Sequence, residues 1–126
     1  MQALPPLFTI PGCSYCDMEK QAFLEATSQF GEWRGVSGTD FLHASFESEY
    51  LNAMVIEVDR APYTYQPVFN ENSPRSKVPL LVISGVYIRL GGPGSTAGIA
   101  EESARIRGAI CTLLSATGEQ PAACAG

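Results

Sequence analysis

The segment that most restricts the fold is residues 7–16, where a strand pattern gives way to a helix pattern at a pair of cysteines. Leu7, Phe8, Thr9 and Ile10 favour β structure and are stopped by Pro11 and Gly12, which predicts a short buried strand followed by a turn. From Cys13 to about Phe30 the period changes. Met18, Ala22, Phe23, Ala26 and Phe30 recur at three- and four-residue spacings, with Gly31 as the stop. The Cys13-Ser14-Tyr15-Cys16 tetrad therefore sits where a strand hands over to a helix.

The rest of the chain extends this pattern. Residues 32–38 are glycine-rich and irregular, with Trp33 and Val36 able to anchor them to a core. Thr39 or Asp40 reads as the N-cap of a second helix carrying Phe41, Leu42, Phe46, Tyr50 and Leu51. Val55, Ile56 and Val58 mark a buried strand over 54–58. Residues 59–77, with Pro62, Pro67 and Pro74, read as a long proline-rich loop with room for one helical turn. Residues 80–83 and 86–90 are apolar runs joined by Ser84-Gly85, a hairpin signal. Ile99, Ile106, Ile110 and Leu113 share one face of a final helix over 99–114. The expected architecture is an α/β three-layer domain over residues 1–118 with a small mixed sheet, an extra helix before the second strand and a flexible tail over 119–126.

Length and charge narrow the function. With 126 residues the chain has room for one domain and one core. A net charge of -5 with only eight Lys and Arg argues against a phosphate-backbone partner, so no nucleic acid is expected, and Arg75 with Lys77 is only a local basic pair. No apolar run approaches the ~20 residues of a membrane span. The start of the chain lacks the pattern of a secretory leader, and a cytoplasmic monomer is the expectation.

Four cysteines divide into a tight pair and two distant residues, Cys111 and Cys124, a spacing unlike a disulfide scaffold. The thiolate is the nucleophile of disulfide exchange, and a helix N-terminus favours it through unpaired N–H groups and a partial positive charge. Cys13 lies at that end as the attacking thiol. Cys16 returns one turn later on the same side, in reach to resolve a mixed disulfide. Half a zinc site is the competing reading, but no second matched pair completes it and His43 is the lone histidine, so no metal is expected. Cys111, beside the apolar face of the last helix, reads as a packed small hydrophobe, and Cys124 as a residue of the loose tail. Ser95 and Thr96, near a helix start, could hydrogen-bond a carboxylate. Tyr63, Tyr65 and Phe69 read as cover for a core edge.

The run from Phe8 to Cys16 resembles the glutaredoxin active-site segment, Tyr-Thr-Lys-Pro-x-Cys-Pro-Tyr-Cys. Lys77-Val78-Pro79 is similar to that family's Thr-Val-Pro, and Gly91-Gly92 falls where its Gly-Gly pair follows the hairpin. The resemblance implies a thioredoxin-like fold and a disulfide oxidoreductase. It makes Pro79 a cis-proline facing the cysteines, with Val78 offering its backbone to a bound thiol substrate. Tyr15, Lys77, Gly91, Gly92 and Ser95 complete the implied substrate site. No resident cofactor is implied; glutathione would serve as reducing co-substrate. Ile10 stands where the family usually has lysine and Ser14 where it has proline, so a disulfide-containing protein substrate fits equally well. A redox-inactive binding module and a carrier of an iron-sulfur cluster are the alternatives the same residues leave open.

Overall fold

A computed structural model describes residues 5–61, 63–73 and 77–125. Its main sheet has four strands in the order β4-β1-β5-β6, built from β1 (Pro6–Thr9), β4 (Met54–Glu57), β5 (Leu80–Ile83) and β6 (Tyr87–Leu90). β1 runs parallel to β4, with Leu7 opposite Val55, and antiparallel to β5, with Leu7 opposite Leu81. β5 and β6 form an antiparallel hairpin in which Ile83 faces Tyr87. Its turn needs positive φ at Ser84 (52°) and Gly85 (69°), a backbone twist that matches paired strands. The chain is thus a mixed α/β protein.

Alternation along the strands divides two cores. Leu7, Leu81 and Ile83 point to one face and pack with Ala22, Phe23 and Ala26 of α1 (Ser14–Thr27) and Ile106, Ile110 and Leu114 of α3 (Ile99–Ala116). Phe8, Leu80 and Val82 point to the other face and meet Ile56 and Phe69, the latter on α2 (Gln66–Asn72). A period of two in the strands therefore sandwiches the sheet between helices. The Phe8 and Phe69 rings lie 5.3 Å apart. Among the described residues no helix is long and apolar enough to cross a membrane.

Three expectations change. The extra helix ahead of the Met54 strand is absent; residues 32–47 form a hairpin of β2 (Glu32–Arg34) and β3 (Ser45–Glu47), with Trp33 opposite Phe46. Trp33 is the cause. Its ring packs against Phe23, Phe41 and Phe46, and its Nε1–H donates to Thr27 Oγ1 at 2.8 Å. Asp40 uses its carboxylate as a turn residue, accepting from the Leu42 N–H at 2.9 Å, and caps no helix.

Within the proline-rich segment α2 replaces loop, because Pro67 lies in its first turn, where a missing N–H is tolerated; Pro62 and residues 74–76, including Arg75, lie outside the described residues. Finally, the tail expected to be flexible is anchored. Cys111 and Cys124 form a disulfide, Pro121 is buried, and the Glu119 N–H donates to the Leu114 carbonyl at 2.9 Å. Cys111 is therefore bonded sulfur rather than a packed free thiol.

Candidate dithiol site

β1 ends at Thr9, and the chain reverses through Pro11 and Gly12, whose φ of +74° suits a residue without a side chain. Cys13 follows as the N-cap of α1 with extended backbone. Its Sγ accepts a hydrogen bond from the Cys16 N–H at 3.1 Å, taking up one of the orphan donors of the first helical turn. The two residues are disulfide-bonded with Cα atoms 5.1 Å apart. They are unequal: Cys13 is half-buried and Cys16 is 0 % exposed. Only Cys13 is open to an incoming sulfur.

The residues flanking Cys13 in sequence carry no charge, and the nearest ionic pair along the chain is Asp17–Lys20 on α1. Ile10 is 41 % and Tyr15 54 % exposed, and Pro11, Gly12 and Ser14 are exposed between them. The other predicted residues divide into two groups. The Val78–Pro79 peptide bond is cis, Pro79 is buried, and the Gly91 N–H donates to the Pro79 carbonyl at 2.8 Å. Gly92 lies against the first turn of α1: a Cβ there would stand 3.2 Å from the Tyr15 carbonyl oxygen and 3.6 Å from the Pro79 ring. The structure thus brings Pro79, Gly91 and Gly92 together against the first turn of α1 at the Tyr15 carbonyl. Val78 is half-buried next to Pro79, whereas Lys77 and Ser95 are exposed, and Ser95 precedes a short 3-10 turn (Thr96–Gly98) without capping it through its side chain.

Sequence reasoning missed a buried ionic group behind this site. Glu19, one turn after Cys16, and Glu102 on α3 are both fully buried. Glu102 is held by Arg89 of β6 through Nε at 3.1 Å and Nη2 at 3.3 Å, and by Arg105 Nη1 at 3.1 Å. Burial works against its charge, but these guanidinium hydrogen bonds win and hold its carboxyl below the ordinary carboxylate range. Glu19 has no such guanidinium partner; its side-chain hydrogen-bonding neighbour is the Glu102 carboxylate, to which it can donate only when protonated. Burial, followed by the neighbouring Glu102, pushes its pKa up to about 9. The legible signal was phase. Glu19 falls on the stripe of Cys16, Ala22, Phe23 and Ala26, and Glu102 on that of Ile99, Ile106 and Ile110, where a charged residue is out of place.

Among the described residues no three His, Cys, Asp or Glu side chains converge as a metal site requires. Compared with known proteins, the chain matches no protein-family model, no curated protein and no solved structure.

Proposed function

We propose that this chain is a thiol-disulfide oxidoreductase with a thioredoxin-like, glutaredoxin-like architecture, in which Cys13 attacks and Cys16 resolves. The observation that carries the reading is the pair's asymmetry at a helix start: Cys13 caps α1 and is reachable, while Cys16 is buried one turn inside. Helix N–H groups and the partial positive charge favour a thiolate at the cap over the same group in water. An external sulfur reaches Cys13 first. The mixed disulfide then lies beside Cys16, whose attack releases the substrate and restores the internal bond.

The surroundings support a substrate presented as extended polypeptide. Ile10, Pro11 and Tyr15 supply apolar contact without a charged side chain, and the Val78–Pro79 segment supplies main chain beside the first turn of α1. Ile10 contributes no cation for a glutathione carboxylate, so a protein disulfide fits this surface better than glutathione. The Cys111–Cys124 bond favours work in an oxidising compartment, where disulfides outside an active site persist.

The test is mutational. Cys13→Ser abolishes exchange with a small aromatic disulfide, and reduced Cys16→Ser accumulates a mixed disulfide when its Cys13 thiolate attacks a disulfide-bonded peptide and expels the other peptide sulfur as a thiolate, visible by mass spectrometry. Full turnover by Cys13→Ser would end the proposal.

A further inference from the structure

β1 and β4 lie side by side and parallel, with Thr9 opposite Glu57 at their carboxyl ends. From those ends the chain departs to opposite faces of the sheet: β1 into α1 on the Leu7 face, β4 through a 3-10 turn (Val58–Arg60) into α2 on the Phe8 face. Neighbouring parallel strands that part in this way leave a crevice beyond their carboxyl ends, where open α/β sheets take their ligands. A cavity of about 230 Å³ lies here, with Thr9, Lys20, Phe41, Leu42, Val55 and Glu57 in its lining. It is on the β4 side of β1, whereas cis-Pro79 leads into β5 on the other side.

The cavity is polarised. Its inner donors are Thr9 and Lys20. Thr9, on the face of the sheet that α1 covers, is 0 % exposed, and its Oγ1 has no hydrogen-bond partner. A buried hydroxyl in that state needs a reason. The Lys20 side chain is 13 % exposed, and its Nζ stands 3.7 Å from Asp17 Oδ1, beyond hydrogen-bond distance. An ammonium with three donors and so little access to water is a strong site for an anionic oxygen. The mouth carries the opposite sign as well: Asp40 is exposed and Glu57 half-buried, the latter 3.7 Å from the Nε of the exposed Arg60. Phe41, Leu42 and Val55 supply an apolar wall.

We propose that this cavity binds a small aliphatic α-amino acid, its carboxylate on the Thr9 hydroxyl and the Lys20 ammonium, its own ammonium toward Asp40 and Glu57, and its side chain against Phe41, Leu42 and Val55. At about 230 Å³ the space is smaller than the roughly 300–1,000 Å³ of pockets for drug-sized ligands, and it admits one residue rather than a peptide. A carboxylate buried against two donors gains more than an ammonium beside exposed carboxylates, so most of the affinity lies at the inner end. An inorganic anion would leave the apolar wall unused. The carboxyl end of a polypeptide would bring an amide to the place where Asp40 and Glu57 favour a cation. The site is separate from the sulfur chemistry and holds its ligand whether or not Cys13 turns over a substrate.

The experiment is an amide NMR titration of the full, isotopically labelled chain with leucine, glycine, N-acetyl-leucine and leucinamide. Leucine shifts the amides of Thr9, Lys20, Phe41 and Glu57 with a Kd of about 1 mM or tighter. Glycine, without the apolar body, and leucinamide, without the carboxylate, bind about tenfold or more weakly. N-acetyl-leucine, without the ammonium, is weaker by about threefold. Lys20→Met and Thr9→Val each weaken leucine by about fivefold or more. Thr9→Val, which removes an unpartnered hydroxyl, keeps or raises the urea midpoint of the ligand-free chain, and Cys13→Ser binds leucine as the parent does. The absence of shifts with leucine at about 10 mM assigns the cavity to water and overturns the proposal. So does N-acetyl-leucine binding as tightly as leucine, which gives the site to a polypeptide end, or leucinamide doing so, which reverses its polarity. Parent affinity in both cavity variants, or lost binding in Cys13→Ser, moves the ligand elsewhere and overturns it too. None of these outcomes alters the Cys13→Ser test of disulfide exchange.

Discussion

Replacing Glu19 by Gln should make the protein more stable, by an amount that grows with pH. Glu19 is fully buried and its pKa rises from 4.5 to about 9 on folding. Between those values the folded chain holds a proton that the unfolded chain has released. Stability therefore falls as pH rises through this window, and the deficit is complete once pH passes the folded value. Each pH unit is worth about 1.4 kcal/mol. From pH 5.5 to 7.5 the change would be about 2.7 kcal/mol for an isolated group; Glu102 shares the site and absorbs part of it, leaving about 1.5–2.5 kcal/mol. Glutamine has the shape of the protonated acid and does not titrate. Urea unfolding of both chains at half-unit steps from pH 5 to 8 reads the effect directly. The two stability curves should diverge upward in pH with Glu19→Gln the more stable. Parallel curves would refute the assignment of a buried, protonated Glu19.

Gly92→Ala should cost about 1–3 kcal/mol, because its Cβ would stand 3.2 Å from both the Tyr15 carbonyl oxygen and the Glu19 Cβ; Gly94→Ala, with open space around it, is the matched control in the same denaturation assay. Removing the second disulfide with Cys111→Ala and Cys124→Ala should lower stability by about 3 kcal/mol, given a sequence separation of 13, while Cys13 alkylation keeps its rate. Arg89→Met should lose about 3 kcal/mol or more, since it strips Glu102 of its two-point guanidinium contact, and a cycle with Glu102→Gln should recover a large part of that loss.

Local signals reported the frame of the fold faithfully. β1, α1, β4, the β5–β6 hairpin and α3 all lie within a few residues of their expected positions, because each is an apolar run with its own period, closed by Pro or Gly. The site was legible where chemistry is local: Cys13 and Cys16 needed only a strand, a turn and a helix start. Residues 39–51 were misread because Phe41, Leu42, Phe46, Tyr50 and Leu51 repeat at spacings that also suit a helix. A distant residue decided the matter, since Trp33 offers Phe41 and Phe46 ring contacts that a helix would forgo. Gly35 carried a clue, as its φ of +79° and close approach to the His43 carbonyl belong to a tight hairpin. The Cys111–Cys124 bond escaped notice because a cysteine on an amphipathic face reads as ordinary packing until the tail is seen folding back. The buried Glu19 and Glu102 lie in phase with the apolar stripes of their helices, but only packing of α1 on α3 makes them neighbours of Arg89.

The position of the second sulfur pair also affects how the protein must be assayed. Glu102 and Cys111 stand nine positions apart on α3, about 14 Å of helix. A small dithiol can open either bond, whereas a bulky partner seated over Ile10 and Tyr15 meets only Cys13. Ordinary thiol titration sums the two populations, so a measured equivalence of four per chain would conceal which two belong to the Cys13–Cys16 pair. Peptide mapping of labelled sulfur, rather than a total, is the readout this molecule demands.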